Sequence, residues 1–137
     1  MAGEGVVYIN WAEGLKRIVN NAKLYIKMLT KMKSDCAQWM VDLSAQLESG
    51  DMKAAQGSAH TIKGTSANLA LTELNKQVLE LEIQIKAKNA AAESAGADLE
   101  EKRPGDYDES MKAQFAALNA AYEATMKAID EVIAQYG

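Results

Sequence analysis

The chain contains one histidine, His60, and its neighbours have the types and spacing of a site that another molecule could approach. If the segment is helical, Lys63 lies one turn after His60 on the same side. Gly57, Gly64 and Ala67 also fall on that side, so the imidazole and the cation are surrounded by residues with little or no side chain. A neutral imidazole has a free lone pair and can act as a nucleophile. The sequence therefore predicts an accessible nucleophile beside a positive charge.

Each of these residues also has a purely structural explanation. A lone histidine in a helical protein is usually a surface or hydrogen-bonded residue, and a single lysine is by default a solvated charge. Gly57 and Gly64 could allow two helices to cross closely. However, a glycine inside a helix costs about 1 kcal/mol relative to alanine, and both glycines point away from the predicted core side. Approach by another molecule explains that cost better than helix packing does.

The composition favours an all-α fold, with a single domain over residues 1–137. Of the 137 residues, 48% are apolar, and the only proline is Pro104. Good helix formers dominate the rest of the sequence. The length is sufficient for one well-packed core and gives no indication of a second domain.

Apolar residues recur every three or four positions along four long segments, which predicts four amphipathic helices. The segments are 22–48, a helix that starts at about Met52, a helix whose apolar row runs from Leu71 to Ile85, and about 109–135. We expect an antiparallel four-helix bundle. Asn10 and Glu13 form a capping pair that starts a short additional helix, which ends at about Val19.

The apolar rows of the first two long helices identify residues that we expect in the core. In the first long helix the row is Tyr25, Leu29, Met32, Cys36, Trp39 and Leu43. In the second it is Met52, Ala55, Ala59, Ile62, Ser66 and Leu69. His60 is turned by about 130° from the centre of the second row, so its imidazole should reach solvent.

Residues 89–107 lose the helical periodicity, are rich in Ala, Glu, Asp and Gly, and contain Pro104. This composition predicts a long mobile connection before the last helix.

The charge pattern excludes several classes of function. A net charge of −4 without a run of Lys and Arg argues against nucleic acid as a partner. No apolar stretch approaches about 18 residues and no leader is visible, so we expect a cytoplasmic protein without membrane insertion. Cys36 is the only cysteine and should serve packing. The carboxylates are scattered over predicted solvated faces, which argues against acid/base catalysis by paired acids.

The segment Ala59-His60-Thr61-Ile62-Lys63-Gly64-Thr65-Ser66-Ala67-Asn68-Leu69 resembles the signature of histidine-containing phosphotransfer domains of multistep two-component signalling. In that signature a histidine, an aliphatic residue, Lys-Gly and small residues recur in this order. The segments 21–25 and 48–51 and the pair Leu79-Glu80 also resemble the layout of the family, so the likeness covers residues 20–85. The family usually has a glycine near the following interhelical turn, where this chain has Ala70.

The resemblance implies that His60 is the residue that is phosphorylated, through the imidazole nitrogen remote from the backbone. Lys63 would stabilise the phosphoryl oxygens electrostatically. Receiver domains of response regulators would dock on a face formed by Gln56, Gly57, Gly64 and Ala67, and Gln56 would also hydrogen-bond the site.

The resemblance also implies the partners of the chain, namely receiver domains and a hybrid sensor kinase. The metal ion of the reaction belongs to the receiver, so we expect no metal site and no cofactor in this chain, which should act as a monomer and as a phosphocarrier without kinase activity of its own.

Two alternatives remain at this stage. The chain could be the phosphoacceptor module of a larger hybrid or chemotaxis-type histidine kinase, although it contains no ATP-binding glycine boxes. It could also be a helical interaction protein without phosphoryl chemistry, in which the methionines and aromatic residues only fill a core or an interface.

Overall fold

The computed structural model describes residues 8–18 and 20–136, and these ranges form five α-helices and one 3-10 turn. The helices are α1 (Trp11–Arg17), α2 (Ala22–Ser49), α3 (Met52–Asn68), α4 (Thr72–Ser94) and α5 (Glu109–Tyr136), and the 3-10 turn is Pro104–Asp106. The prediction of an all-α helical bundle is confirmed. Val19, the predicted end of the first helix, lies outside the described residues.

Side-chain caps and a left-handed glycine set the helix boundaries where the sequence predicts them. The side chain of Asn10 accepts the backbone N–H of Glu13 at the start of α1. Gly50 ends α2 with φ of 80°, a conformation that glycine adopts without strain. Asp51 follows immediately and accepts the backbone N–H of Ala54, which starts α3.

The four long helices enclose one core, because α2 and α4 each pack against both α3 and α5. Short turns make α2, α3 and α4 successively antiparallel. Ser110 of α5 donates to Gln84 of α4, and Gln114, four residues later in α5, donates to Gln77, seven residues earlier in α4. The helix α5 therefore runs antiparallel to α4 as well. In α2 the side chain of Met40 is buried, whereas Trp39, predicted for the core row, is half-buried at its edge.

The short helix α1 lies at the end of the bundle where α3 turns into α4. The N–H of Asn10 donates to the carbonyl of Ala70 at 2.9 Å, and the Trp11 ring stacks on Tyr136 with centroids 4.7 Å apart. Ala70 has φ of 56°, which costs an alanine about 1–2 kcal/mol. The left-handed backbone at this turn explains why a glycine suits the position.

The connection between α4 and α5 is shorter than the sequence predicts. The helix α4 continues through Asn89 to Ser94, so the predicted boundary at residue 89 is wrong. Ala90, Ala91 and Ala92 lack an apolar period but are the best helix formers, and Asn89 is buried and hydrogen-bonded inside the bundle. The irregular part is reduced to 95–108 and includes the 3-10 turn.

Candidate functional site

His60 lies in the middle of α3, and its imidazole is exposed as the helix geometry predicts. Ala59 and Ile62, its neighbours on the core side, are fully buried, whereas 67% of the His60 side chain is exposed. Gly57 and Gly64 are exposed on the same helix, and no described atom beyond their own helix lies within 4 Å of where a Cβ would stand. The surface around the imidazole is therefore open to another molecule, and neither glycine makes room for a crossing helix.

A buried carboxylate from α4, Glu82, lies beneath the imidazole. The side chain of Glu82 is 1% exposed, and its Oε2 lies 3.1 Å from Nδ1 of His60. Its other oxygen, Oε1, lies 2.8 Å from Nζ of Lys63. One carboxylate thus holds both residues that the sequence singles out, one on each oxygen.

Glu82 is ionised at neutral pH despite its burial. Burial raises the pKa of its carboxyl group, but hydrogen bonds from Lys63 and His60 and the positive charges of Lys63 and Lys86 outweigh that effect, so the pKa lies below its usual value. Nζ of Lys86 lies 3.8 Å from Oε2. The site therefore contains a fixed negative charge with cationic groups around it.

This arrangement decides which nitrogen of His60 is available. An ionised carboxylate can only accept hydrogen bonds, so Nδ1 of His60 carries the proton in its contact with Glu82. The lone pair of the neutral ring is then on Nε2, which is on the far side of the ring from Nδ1 and faces away from Glu82. The geometry thus leaves the lone pair of Nε2 directed away from Glu82.

Glu82 is not among the site residues predicted from the sequence, and the expectation that the carboxylates lie on solvated faces is wrong for this residue. A signal was present, because Val78 and Ile85 lie four residues before and three residues after Glu82 and belong to the core row of α4. A helical projection of α4 therefore puts Glu82 at the edge of that row. Its distance from His60, 22 positions along the chain, conceals the contact.

The remaining predicted residues lie on the same surface of α3. Ala67 is exposed, and Gln56 lines the groove next to His60 but accepts a hydrogen bond from Asn89 of α4 at 2.7 Å. Asn75 of α4 donates to the carbonyl oxygen of Lys63 at 2.9 Å. Polar contacts from α4 therefore fix α3 on both sides of the histidine.

Within 8–18 and 20–136, no group of three or more His, Cys, Asp or Glu side chains could hold a metal ion. None of the helices in those ranges is long and apolar enough to cross a membrane.

Comparison with protein families shows that residues 27–131 match the Hpt domain. No curated protein and no solved structure matches the chain significantly. The matched region contains the whole site, from Gln56 to Lys86. Together with an exposed histidine on a helical bundle, the match shows that the chain belongs to the Hpt domain family, the phosphocarrier modules of histidine phosphotransfer in two-component systems.

Proposed function

We propose that the chain accepts a phosphoryl group on Nε2 of His60 from the aspartyl phosphate of one receiver domain and donates it to an aspartate of another. The observation that carries this proposal is the exposed imidazole whose Nδ1 is held by the buried carboxylate of Glu82. This contact keeps a lone pair on the outward nitrogen. No additional base is needed, because Nε2 has no proton to lose in this tautomer.

In the forward step the P–N bond to Nε2 forms while the P–O bond to the receiver's aspartate breaks, and the electron pair of that bond leaves with the aspartate carboxylate. The ring keeps its proton on Nδ1 and gains positive charge as the new bond forms. Glu82 lies 3.1 Å from Nδ1, where its negative charge stabilises the developing imidazolium. The reverse sequence returns the phosphoryl group to a second receiver.

Lys63 is the group that can neutralise the phosphoryl oxygens. In the structure its ammonium is paired with Glu82, and 27% of the side chain is exposed. The long flexible stem of lysine lets the ammonium move toward a phosphoryl group on the adjacent turn of the helix. Lys63 would then exchange one anionic partner for another.

The receiver would dock on the bare face of α3, over Gly57, Gly64 and Ala67. Leu79 and Ile83 of α4 extend this face, since both are large apolar side chains that remain 39% and 54% exposed. They flank Glu82 on the outer side of α4, where they can contact an apolar surface around the receiver's active site. The docking face thus combines small residues over the histidine with an apolar edge.

The test of the proposed function is incubation of the chain with a phosphorylated receiver domain. Label that is stable to alkali and labile to acid, and that moves on to a second receiver, supports the phosphocarrier. Label that arrives only from a kinase and never from a receiver would instead indicate the phosphoacceptor module of a kinase. Absence of label from both sources would contradict phosphoryl chemistry at His60.

Replacement of Lys63 by alanine should keep the helical fold but lower its stability, because the buried Glu82 loses a partner, and should slow phosphoryl transfer by about ten-fold. The substitution removes the cation beside the phosphoryl oxygens but keeps the nucleophile. Single-turnover rates with a phosphorylated receiver measure the effect. Lys127→Ala, which changes an exposed lysine on α5, is the matched control and should change nothing. Equal rates for Lys63→Ala and wild type in both directions would show that Lys63 serves only to pair with Glu82.

Replacement of Glu82 by glutamine should slow transfer by about ten- to a hundred-fold, because it removes the charge that stabilises the imidazolium. The amide can also turn its NH2 toward Nδ1 and favour the unproductive tautomer. Glu80→Gln makes the same change at an exposed position of α4 and is the control. The decisive readout is the rate per folded molecule, and a rate for Glu82→Gln that equals the rate for Glu80→Gln would contradict the role of Glu82.

A further inference from the structure

The connection between α4 and α5 is fixed to the turn between α2 and α3. The N–H of Arg103 donates to the carbonyl oxygen of Gly50 at 2.8 Å, and its Nη2 donates to Oδ1 of Asn89 at 2.6 Å. A Cβ at Gly50 would lie 2.1 Å from the nitrogen of Pro104, so the two backbones are in direct contact. These contacts hold residues 95–108 against the bundle.

Asn89 links this anchor to the helix that carries the phosphotransfer site. Its side-chain nitrogen donates to Oε1 of Gln56 at 2.7 Å and to the carbonyl of Met52 at 3.1 Å, while its oxygen accepts from Arg103. Gln56 lies about one turn before His60 on α3. A continuous set of hydrogen bonds therefore fixes the connection relative to His60.

From this anchor the connection extends to the groove beside the histidine. Leu99 is half-buried and lines the same groove as His60 and Gly57. The next residue, Glu100, forms an ion pair with Lys53 of α3. Lys53 and Glu100 are both largely exposed, so the pair adds little stability but keeps the segment close to α3. An apolar side chain is thus placed at the mouth of the groove.

We propose that residues 99–103, which we call the connection wall, form the outer edge of the receiver docking groove and select among receiver domains. The inference rests on the proposed function, since the occupant is the receiver that exchanges phosphoryl groups with His60. The charged residues that line the groove are Lys53, Lys86, Glu82 and Glu93, so positive and negative groups balance there, and Leu99 offers an apolar contact beyond α3.

The connection wall acts on docking and not on chemistry. The charged partners of the carboxylate of Glu82 are His60, Lys63 and Lys86, and the apolar side chain of Leu99 cannot hydrogen-bond to it. A change at Leu99 should therefore alter the receiver concentration that gives half-maximal transfer and leave the maximal rate unchanged. It should also leave unchanged the labelling of His60 by a phosphodonor too small to reach the wall.

The test compares Leu99→Asp with wild type in two assays. For Leu99→Asp, the concentration of phosphorylated receiver that gives half-maximal transfer should be higher than for wild type by about ten-fold or more. The maximal rate should be similar to that of wild type. Labelling by phosphoramidate, which gives its phosphoryl group to His60 and releases ammonia, should match wild type. Ala97→Asp places the same charge at an exposed position of the same connection but outside the wall, so it serves as the control and should behave as wild type in both assays.

The two assays separate the inference from the proposed function. Failure of wild type to accept label from both phosphoramidate and receivers would overturn both. If wild type accepts label normally but Leu99→Asp has the same half-maximal receiver concentration, only the role of the connection wall is overturned. A lower maximal rate in Leu99→Asp would overturn that role as well. If Leu99→Asp lowers the melting temperature, Leu99→Ala replaces it and should raise the half-maximal concentration by about three-fold.

Discussion

Replacement of His60 by glutamine is expected to abolish phosphoryl acceptance completely while leaving helicity and thermal stability close to those of the wild type. The imidazole is the only one in the chain, so no second histidine can take over. The side chain is 67% exposed, and its loss creates no cavity in the core. Glutamine keeps a polar group that can contact Glu82, but it has no nitrogen lone pair able to attack phosphorus.

The measurement is transfer of label from a phosphorylated receiver, with circular dichroism and thermal unfolding on the same preparation. Thr61→Gln, an exposed substitution on the adjacent position of α3, controls for an added glutamine near the docking face and should still accept label. Retained acid-labile label on the His60→Gln protein would refute the assignment of the acceptor.

Replacement of Gly64 by leucine is expected to make the protein more stable and nearly inactive toward receivers. The position is in the interior of α3 and exposed, with open space where a side chain would begin. Exchange of glycine for a good helix former there should raise the free energy of unfolding by up to about 1 kcal/mol. The leucine side chain would project beside His60 into the space that the receiver must occupy, so transfer should fall by about a hundred-fold or more.

Gly64→Ala separates the two effects of that substitution. It should gain a similar amount of stability, because most of the helix preference comes from the first carbon of the side chain. A single methyl group covers little of the docking face, so transfer should stay within about three-fold of wild type. Thermal unfolding and receiver transfer, measured on both variants, separate the effect on stability from the effect on docking. A Gly64→Leu protein that is destabilised or fully active would contradict the docking face.

The sequence was sufficient to predict the bundle because the information that determines it is local. The capping side chain of Asp51 and the left-handed Gly50 mark the boundary between α2 and α3 directly in the sequence. The exposure of His60 follows from its angle to the row of core residues on its own helix, α3. Each of these inferences needs no knowledge of which helix packs against which.

The parts that the sequence did not predict depend on contacts between helices. Glu82 is a charged residue in a core position, and it is stable there only because His60 and Lys63 approach from α3. Asn89 likewise continues α4 because Gln56 and Met52 satisfy its amide group across the helix interface. No periodicity within α4 alone reveals these partners.

The most direct test of phosphoryl transfer through His60 is the location of the phosphoryl group on the imidazole. Because His60 is the only histidine, nitrogen-15 labelling of histidine gives the NMR signals of one ring before and after phosphorylation by a receiver. We predict phosphorus on Nε2 and a proton on Nδ1, the nitrogen that lies 3.1 Å from Glu82. Phosphorus on Nδ1, or an unchanged imidazole in a chain that carries label elsewhere, would contradict this mechanism.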